Sequence, residues 1–189
     1  MTPTLSISPV DTALLNRTED FPVSADEVAQ QLEMDNVSVE TTALLEAQIL
    51  PAVGMVEGFL GLSLTVSERT ATWSSMSGVT RLPYGPVHAS PAPTVTYVAG
   101  TSTVTDTTPG VLTSGGYPYL RGRFTDGVTV EYTAGFSTAD DAAYPLPEEI
   151  RRAVIVCAAD LYSQTTGFQP PRKLTGNWRQ LVAHLKRFS

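Results

Sequence analysis

The stretch Val128–Phe136, VTVEYTAGF, divides this chain. Val128, Val130 and Tyr132 alternate with Thr129, Glu131 and Thr133, which is the two-residue period of a strand buried on one face. Glu131 takes a solvent-facing position in that alternation. The strand stops at the Thr133-Ala134-Gly135 turn. A short polar link then leads to Pro147, a residue well suited to opening a helix. Most of the block before this junction reads as strand, and most of the chain after it reads as helix.

Working back from the junction, the strand period continues to Leu62. LSLTVSERTATW (62–73) alternates and is rich in Thr, Val and Ser. VTRLP (79–83) is a second short strand, closed by the turn from Pro83 to Pro86. PTVTYVAGTSTVT (93–105) reads as a hairpin turning at Ala99-Gly100, and GVLTSGGYPYLRGRF (110–124) supplies one or two strands around Gly115-Gly116. Short strands at this spacing, separated by Gly and Pro, predict a small antiparallel sandwich or barrel.

On either side of this block the period is helical. Ser24 and Glu27 form an S-x-x-E capping box ahead of Val28 and Leu32. A longer helix is predicted over 38–60, with Ser38 as N-cap and Leu45, Ile49, Val53, Val56 and Leu60 as its buried stripe. Pro51 predicts a kink or break in it. Gly54 and Gly58 share a face and predict tight helix packing, and Gly61 is the expected C-cap. After the junction, Glu148 and Glu149 complement the positive end of a helix dipole. Ile150, Val154, Cys157, Ala158 and Leu161 make one buried face there. QPPRKLTG (169–176) breaks the pattern, and a last helix is expected from Asn177 to Phe188, with Trp178, Leu181, Val182 and Leu185 as its stripe. The predicted fold class is α+β: a helical bundle platform (21–61 and 145–189) carrying an inserted antiparallel β-sandwich or barrel (62–136). Residues 1–20 read as a flexible N-terminal arm.

With 189 residues, 42% of them apolar, the chain suits one globular domain or one domain with an insertion. The longest unbroken apolar run, Ala153–Ala159, is seven residues, too short to span a membrane. The N-terminus lacks the basic and apolar regions of a signal peptide. Cys157 is the single cysteine, so no internal disulfide forms. Net charge is −7 and unevenly placed: residues 1–60 hold ten acids and one base, whereas 147–189 hold three acids and seven bases. The layout reads either as two solvated faces or as complementary surfaces for assembly. An acidic chain with one short basic tail is a poor sequence-specific DNA reader.

A catalytic constellation does not emerge from the spacing. His88 lies beside Ser90 in a Pro-rich loop without a nucleophile-elbow pattern, and His184 sits among bases on the last helix. No metal-ligand or phosphate-loop spacing occurs, and Asp140-Asp141 reads as a solvated linker. Cys157 falls on a buried helix face and reads as core. No enzyme activity, cofactor or metal site is expected. The aromatic and basic residues near the C-terminus, Phe168, Trp178 and Phe188 beside Arg172 and Arg179, are the types that anchor protein interfaces or pack the last helix.

Four segments, in order, carry a resemblance: VSADEVAQQLEM (23–34); LLEAQILPAVGMVEGFLG running into LSLTVSERTATW, with Gly61 and Trp73; VTRLPYGPVHA (79–89); and VTVEYTAGF followed by PEEIRRAVIVCAADLY (147–162). Together they resemble the tailed-phage head–tail connector family, the head-completion adaptors. Pro51 departs from that family's uninterrupted helix, and the tail from 167 matches less well. The resemblance implies a structural virion protein, made in the host cytoplasm and located in the neck at the head–tail interface. It implies a homo-oligomeric ring, a dodecamer, beneath the portal protein, bound also to the next neck or tail protein. Double-stranded DNA would pass through its lumen without sequence-specific binding, and no membrane is involved. On the same basis Arg172, Lys173, Trp178, Arg179, Lys186 and Arg187 are assigned to the portal or partner interface. The residues also admit a second reading, a non-viral ligand- or protein-binding module built on the β-block.

Overall fold

A computed structural model describes residues 9–17, 21–106, 111–114, 117–124, 126–137, 144–168 and 177–185, with side chains described throughout except at 111–114, 117 and 118. The protein is α+β, and its described residues fall into two compact units. One takes residues before Thr18 together with Thr65–Phe136, and the other takes Glu19–Leu64 together with Ser137–Phe188.

The β unit contains eight strands among the described residues: β1 (Asp11–Arg17), β2 (Ser67–Trp73), β3 (Met76–Arg81), β4 (Thr94–Ala99), β5 (Ser102–Asp106), β6 (Val111–Ser114), β7 (Tyr117–Phe124) and β8 (Val128–Ala134). They form a five-stranded sheet in the order β1-β2-β8-β4-β5 and a three-stranded sheet in the order β3-β7-β6, antiparallel throughout and not closed into a barrel. Strand β8 is central because its alternation buries Val128, Val130, Tyr132 and Ala134 while Glu131 stays exposed. Ala71 and Val95 flank Val130 from the two neighbouring strands. These residues share one core with Trp73, Met76, Leu82, Val87 and Leu120, which draws on both sheets.

Two details of this unit differ from the sequence expectation. Residues 11–17, placed in a flexible arm, form the edge strand β1, hydrogen-bonded to β2 from Asp11↔Thr72 to Arg17↔Ser67. Its side chains are mostly exposed, so backbone pairing rather than an apolar period holds it, and periodicity could not reveal it. Strand β2 also begins five residues later than LSLTVSERTATW suggested. Leu62, Ser63, Leu64 and Thr65 are buried, but they lie in the turn that leaves the preceding helix.

The helical unit comprises α1 (Ala25–Gln31), α2 (Val39–Leu60), α3 (Glu148–Thr166) and α4 (Trp178–Val182), followed by one turn of 3-10 helix, Ala183–Leu185. The Ser24–Glu27 capping box is formed in both directions. Ser38 caps α2 by accepting from the Thr41 backbone N–H at 3.2 Å, and Gly61 ends it in the left-handed region at φ 65°. Pro51 neither breaks nor ends α2. Pro51 and Ala47 are both exposed, so water can satisfy the carbonyl deprived of its partner. Pro147 is the N-cap of α3 rather than its first residue.

Leu45, Ile49, Val53 and Val56 of α2 are buried together with Val28 and Leu32 of α1 and Ile150, Val154 and Cys157 of α3. By length and composition alone α2 could cross a membrane, but this face is engaged within its own unit. Glu57, 5% exposed, takes part in that packing: its carboxylate accepts from the Leu64 backbone N–H at 2.8 Å and from the Ser63 hydroxyl at 3.5 Å. It thereby holds the turn after the helix. Arg151 of α3 pairs with Glu27 of α1 and donates from Nε to the Pro22 carbonyl at 3.0 Å.

Candidate functional site

Within the helical unit, α2, α3 and α4 enclose a cleft of about 380 Å³ lined by Met55, Cys157, Asp160, Leu161, Gln164, Asn177, Trp178 and Arg179. Asn177 builds its rim by accepting, through Oδ1, from the Arg179 backbone N–H at 3.0 Å, which starts α4. Trp178 is then directed inward. It is 5% exposed and meets Phe59 edge-to-face, with ring centroids 5.4 Å apart. The Arg179 guanidinium lies 4.8 Å from the Trp178 ring centroid in a cation–π contact and remains exposed.

Burial in the cleft shifts two ionisable groups. Desolvation raises the Asp160 carboxyl above its ordinary range. Desolvation, followed by the Asp160 charge, pushes the Cys157 thiol up to about 11 against a smaller opposing effect of Arg179. A thiol raised so far is protonated at neutral pH and is neither a good nucleophile nor a ready metal ligand. The cleft therefore offers a charged and amide-lined rim over an apolar floor, and no activated nucleophile.

In the β unit, His88, which the sequence offered as a catalytic candidate, and two further polar groups have structural partners. His88 Nε2 is 2.8 Å from the Gly135 carbonyl, and its backbone N–H donates to Thr133 at 2.8 Å, so it ties the β4 approach to the end of β8. The Tyr132 hydroxyl donates to the Pro83 carbonyl at 2.9 Å, and burial pushes its ionisation well above the usual phenol range. Arg69 is buried. It donates from Nε to the Ser67 hydroxyl at 3.2 Å and stacks 4.3 Å from the Tyr84 ring centroid. Among the described residues no group of three or more His, Cys, Asp or Glu side chains could hold a metal ion.

Of the six residues assigned to a partner interface, Trp178 and Arg179 adjoin in the cleft rim. The Trp178 ring packs the chain's own helices, which leaves Arg179 as the exposed member of the pair. Arg172, Lys173, Lys186 and Arg187 lie outside the described residues, as do Gly115-Gly116 and Asp140-Asp141. A second surface escaped the sequence reading. Leu44, Leu50 and Met55 of α2 are 48%, 53% and 40% exposed. Among the described residues, the tight packing expected at Gly54 and Gly58 is not made. A Cβ at either glycine would find no other described atom within 4 Å.

No protein-family model matches this sequence, and no curated protein matches it. Solved structures do. A chain from the neck of an empty gene transfer agent particle, computed with C6 symmetry, superposes with a TM-score of 0.70 at 15% identity, over 95% of this chain and 97% of that one. A chain of the virion of a native gene transfer agent particle gives a TM-score of 0.70 at 16% identity, covering 94% and 96%. A third, from the neck of the native particle computed with C12 symmetry, gives 0.57 at 16% identity, covering 94% and 97%. The fold is therefore shared with these neck and virion chains over about 95% of this chain.

Proposed function

We propose that this chain is a structural protein of the neck of a phage-like particle, where copies of it assemble into a ring. The observation that carries the reading is the superposition over 95% of this chain and 97% of a neck chain. The symmetric assemblies of the similar chains support a ring.

In its finer form, the ring sits beneath the portal and extends the DNA channel. The exposed Arg179, with Arg172, Lys173, Lys186 and Arg187 of the same basic segment, faces the portal protein. The acidic balance of the remaining chain would repel phosphate and so favour passage of DNA over retention. Electron microscopy of particles from cells producing the chain with an added density label tests this reading. The label is expected as a ring at the neck. Particles that lack the chain, or carry it only in the head shell or tail tip, would refute it.

A further inference from the structure

The two outer faces of the β unit carry opposite charge. Both sheets turn their inner faces to one shared core, so their outer faces point away from each other. On the five-stranded sheet, alternation sends Glu68 and Glu131 outward among threonines such as Thr72 and Thr129. On the three-stranded sheet it sends arginines outward. The register pairs buried Thr80 with buried Leu120, and buried Met76 with Phe124, on the inner side. The alternate pairs, Ser77↔Arg123, Val79↔Arg121 and Arg81↔Tyr119, therefore lie on the outer side. Arg121 and Arg123 are exposed, and half-buried Arg81 stands diagonally across from Arg121. Strands β3, β6 and β7 hold no acidic residue, in a chain whose net charge is −7. The nearest acid in sequence, exposed Asp126, lies past the end of β7.

We propose that this arginine face binds the phosphodiester backbone of duplex DNA without reading its sequence. Two observations select that ligand. Arg121 and Arg123 repeat two residues apart on one strand, about 6.6 Å, and so present a line of positive charge. A ligand of regularly repeated negative charge engages them together and gives up a counterion at each. The rest of the face lacks what a protein partner needs. Among its described residues Val79 is the one exposed large apolar side chain, and no aromatic or aliphatic pocket surrounds it in which interface energy could concentrate. Phosphate contacts need no such pocket, because guanidinium forks and a neighbouring hydroxyl, here that of Ser77, suffice.

The proposal stands on charge placement and is independent of the neck reading. The acidity of the whole chain opposes phosphate, and on this one face the sign is reversed. DNA is thus held at one place on a surface that otherwise repels it. Two or three phosphate contacts give weak binding, with a dissociation constant on the order of 10⁻⁴ M at physiological salt and tighter below it.

The test uses the full chain and a short fluorescein-labelled duplex of mixed sequence, followed by anisotropy as salt is raised from a low concentration. Binding is expected, with log K falling against log salt at a slope of about −2 to −3, as two or three neutralised phosphates require. Arg121→Gln/Arg123→Gln should bind roughly tenfold more weakly or worse, with the slope about two units nearer zero and the melting temperature unchanged. Arg121→Lys/Arg123→Lys keeps the charge and should keep the slope. Arg152→Gln, exposed on α3, should bind like the parent. No binding by the parent at low salt would overturn the proposal. So would parent-like binding by the double glutamine variant, or loss of binding in Lys186→Gln/Arg187→Gln in its place. Polyglutamate of matched charge displacing the duplex as well as unlabelled duplex does would also overturn it, by marking an acidic protein as the ligand. None of these outcomes touches the neck reading, which is decided by particles and not by the purified chain.

Discussion

At the residue scale, the strongest constraint lies at the junction that closes β8. Gly135 has φ 127°, and a Cβ there would overlap the backbone carbonyl of Thr65. Gly135→Ala should therefore cost about 2–4 kcal/mol, measured by chemical denaturation, through both an unfavourable φ and a forced backbone shift. Glu57 is a second such point. Glu57→Ala leaves the buried Leu64 N–H without its acceptor and should destabilise by about 1–3 kcal/mol. Asp160 gives a pH signature. Its folded-state pKa is raised, so its favourable contribution is complete below the unfolded carboxyl pKa and is lost as pH rises through the folded value. Asp160→Asn should be more stable than the parent at neutral pH, and thermal melts should show that advantage vanish as the pH falls below the ordinary carboxylate range.

At the scale of elements, most helix and strand positions were legible, because local chemistry marks them. Ser24 with Glu27, Ser38 and Gly61 announce helix ends through side-chain caps and a left-handed residue. The alternation of 128–134 announces a half-buried strand. Three features were not legible, each for a physical reason. Strand β1 is held by backbone pairing to β2, which leaves no side-chain period. Leu62 and Leu64 are buried in a turn that Glu57 stabilises, so they mimic strand alternation. Pro51 stays within α2 because the lost bond faces solvent. The last point is measurable: Pro51→Ala should stabilise the isolated chain by about 1–3 kcal/mol in urea titrations, the helix-propensity difference between the two residues.

At the scale of the whole molecule, the superposition on neck chains spans both units, although identity stays near 15%. The likeness therefore lies in the fold, while few individual side chains are shared. This explains why the candidate interface was only partly legible. A basic aromatic tail is visible as composition, but burial divides its members: Trp178 packs inward and Arg179 stays outside. The α2 face was invisible because an exposed leucine and a buried one look alike in sequence. A direct check separates the two roles in the tail. Arg179→Glu removes one cation–π contact and should cost less than about 1 kcal/mol of stability, as an exposed cation–π pair does. If Arg179 faces the portal, the same variant should lose incorporation into particles, scored by immunoblot of purified virions.

The contact between Gly135 and Thr65 has a further consequence. The chain leaves for the β unit at Thr65 and has finished its last strand by Ala134, and these two points touch. An excursion whose ends are neighbours can lengthen, shorten or be exchanged without pulling on what it departs from, because loop length alters closure entropy only slowly. Strand β1 sets the limit of that freedom: it reaches β2 from before the helical unit, so an exchanged block would have to keep an edge that β1 can pair.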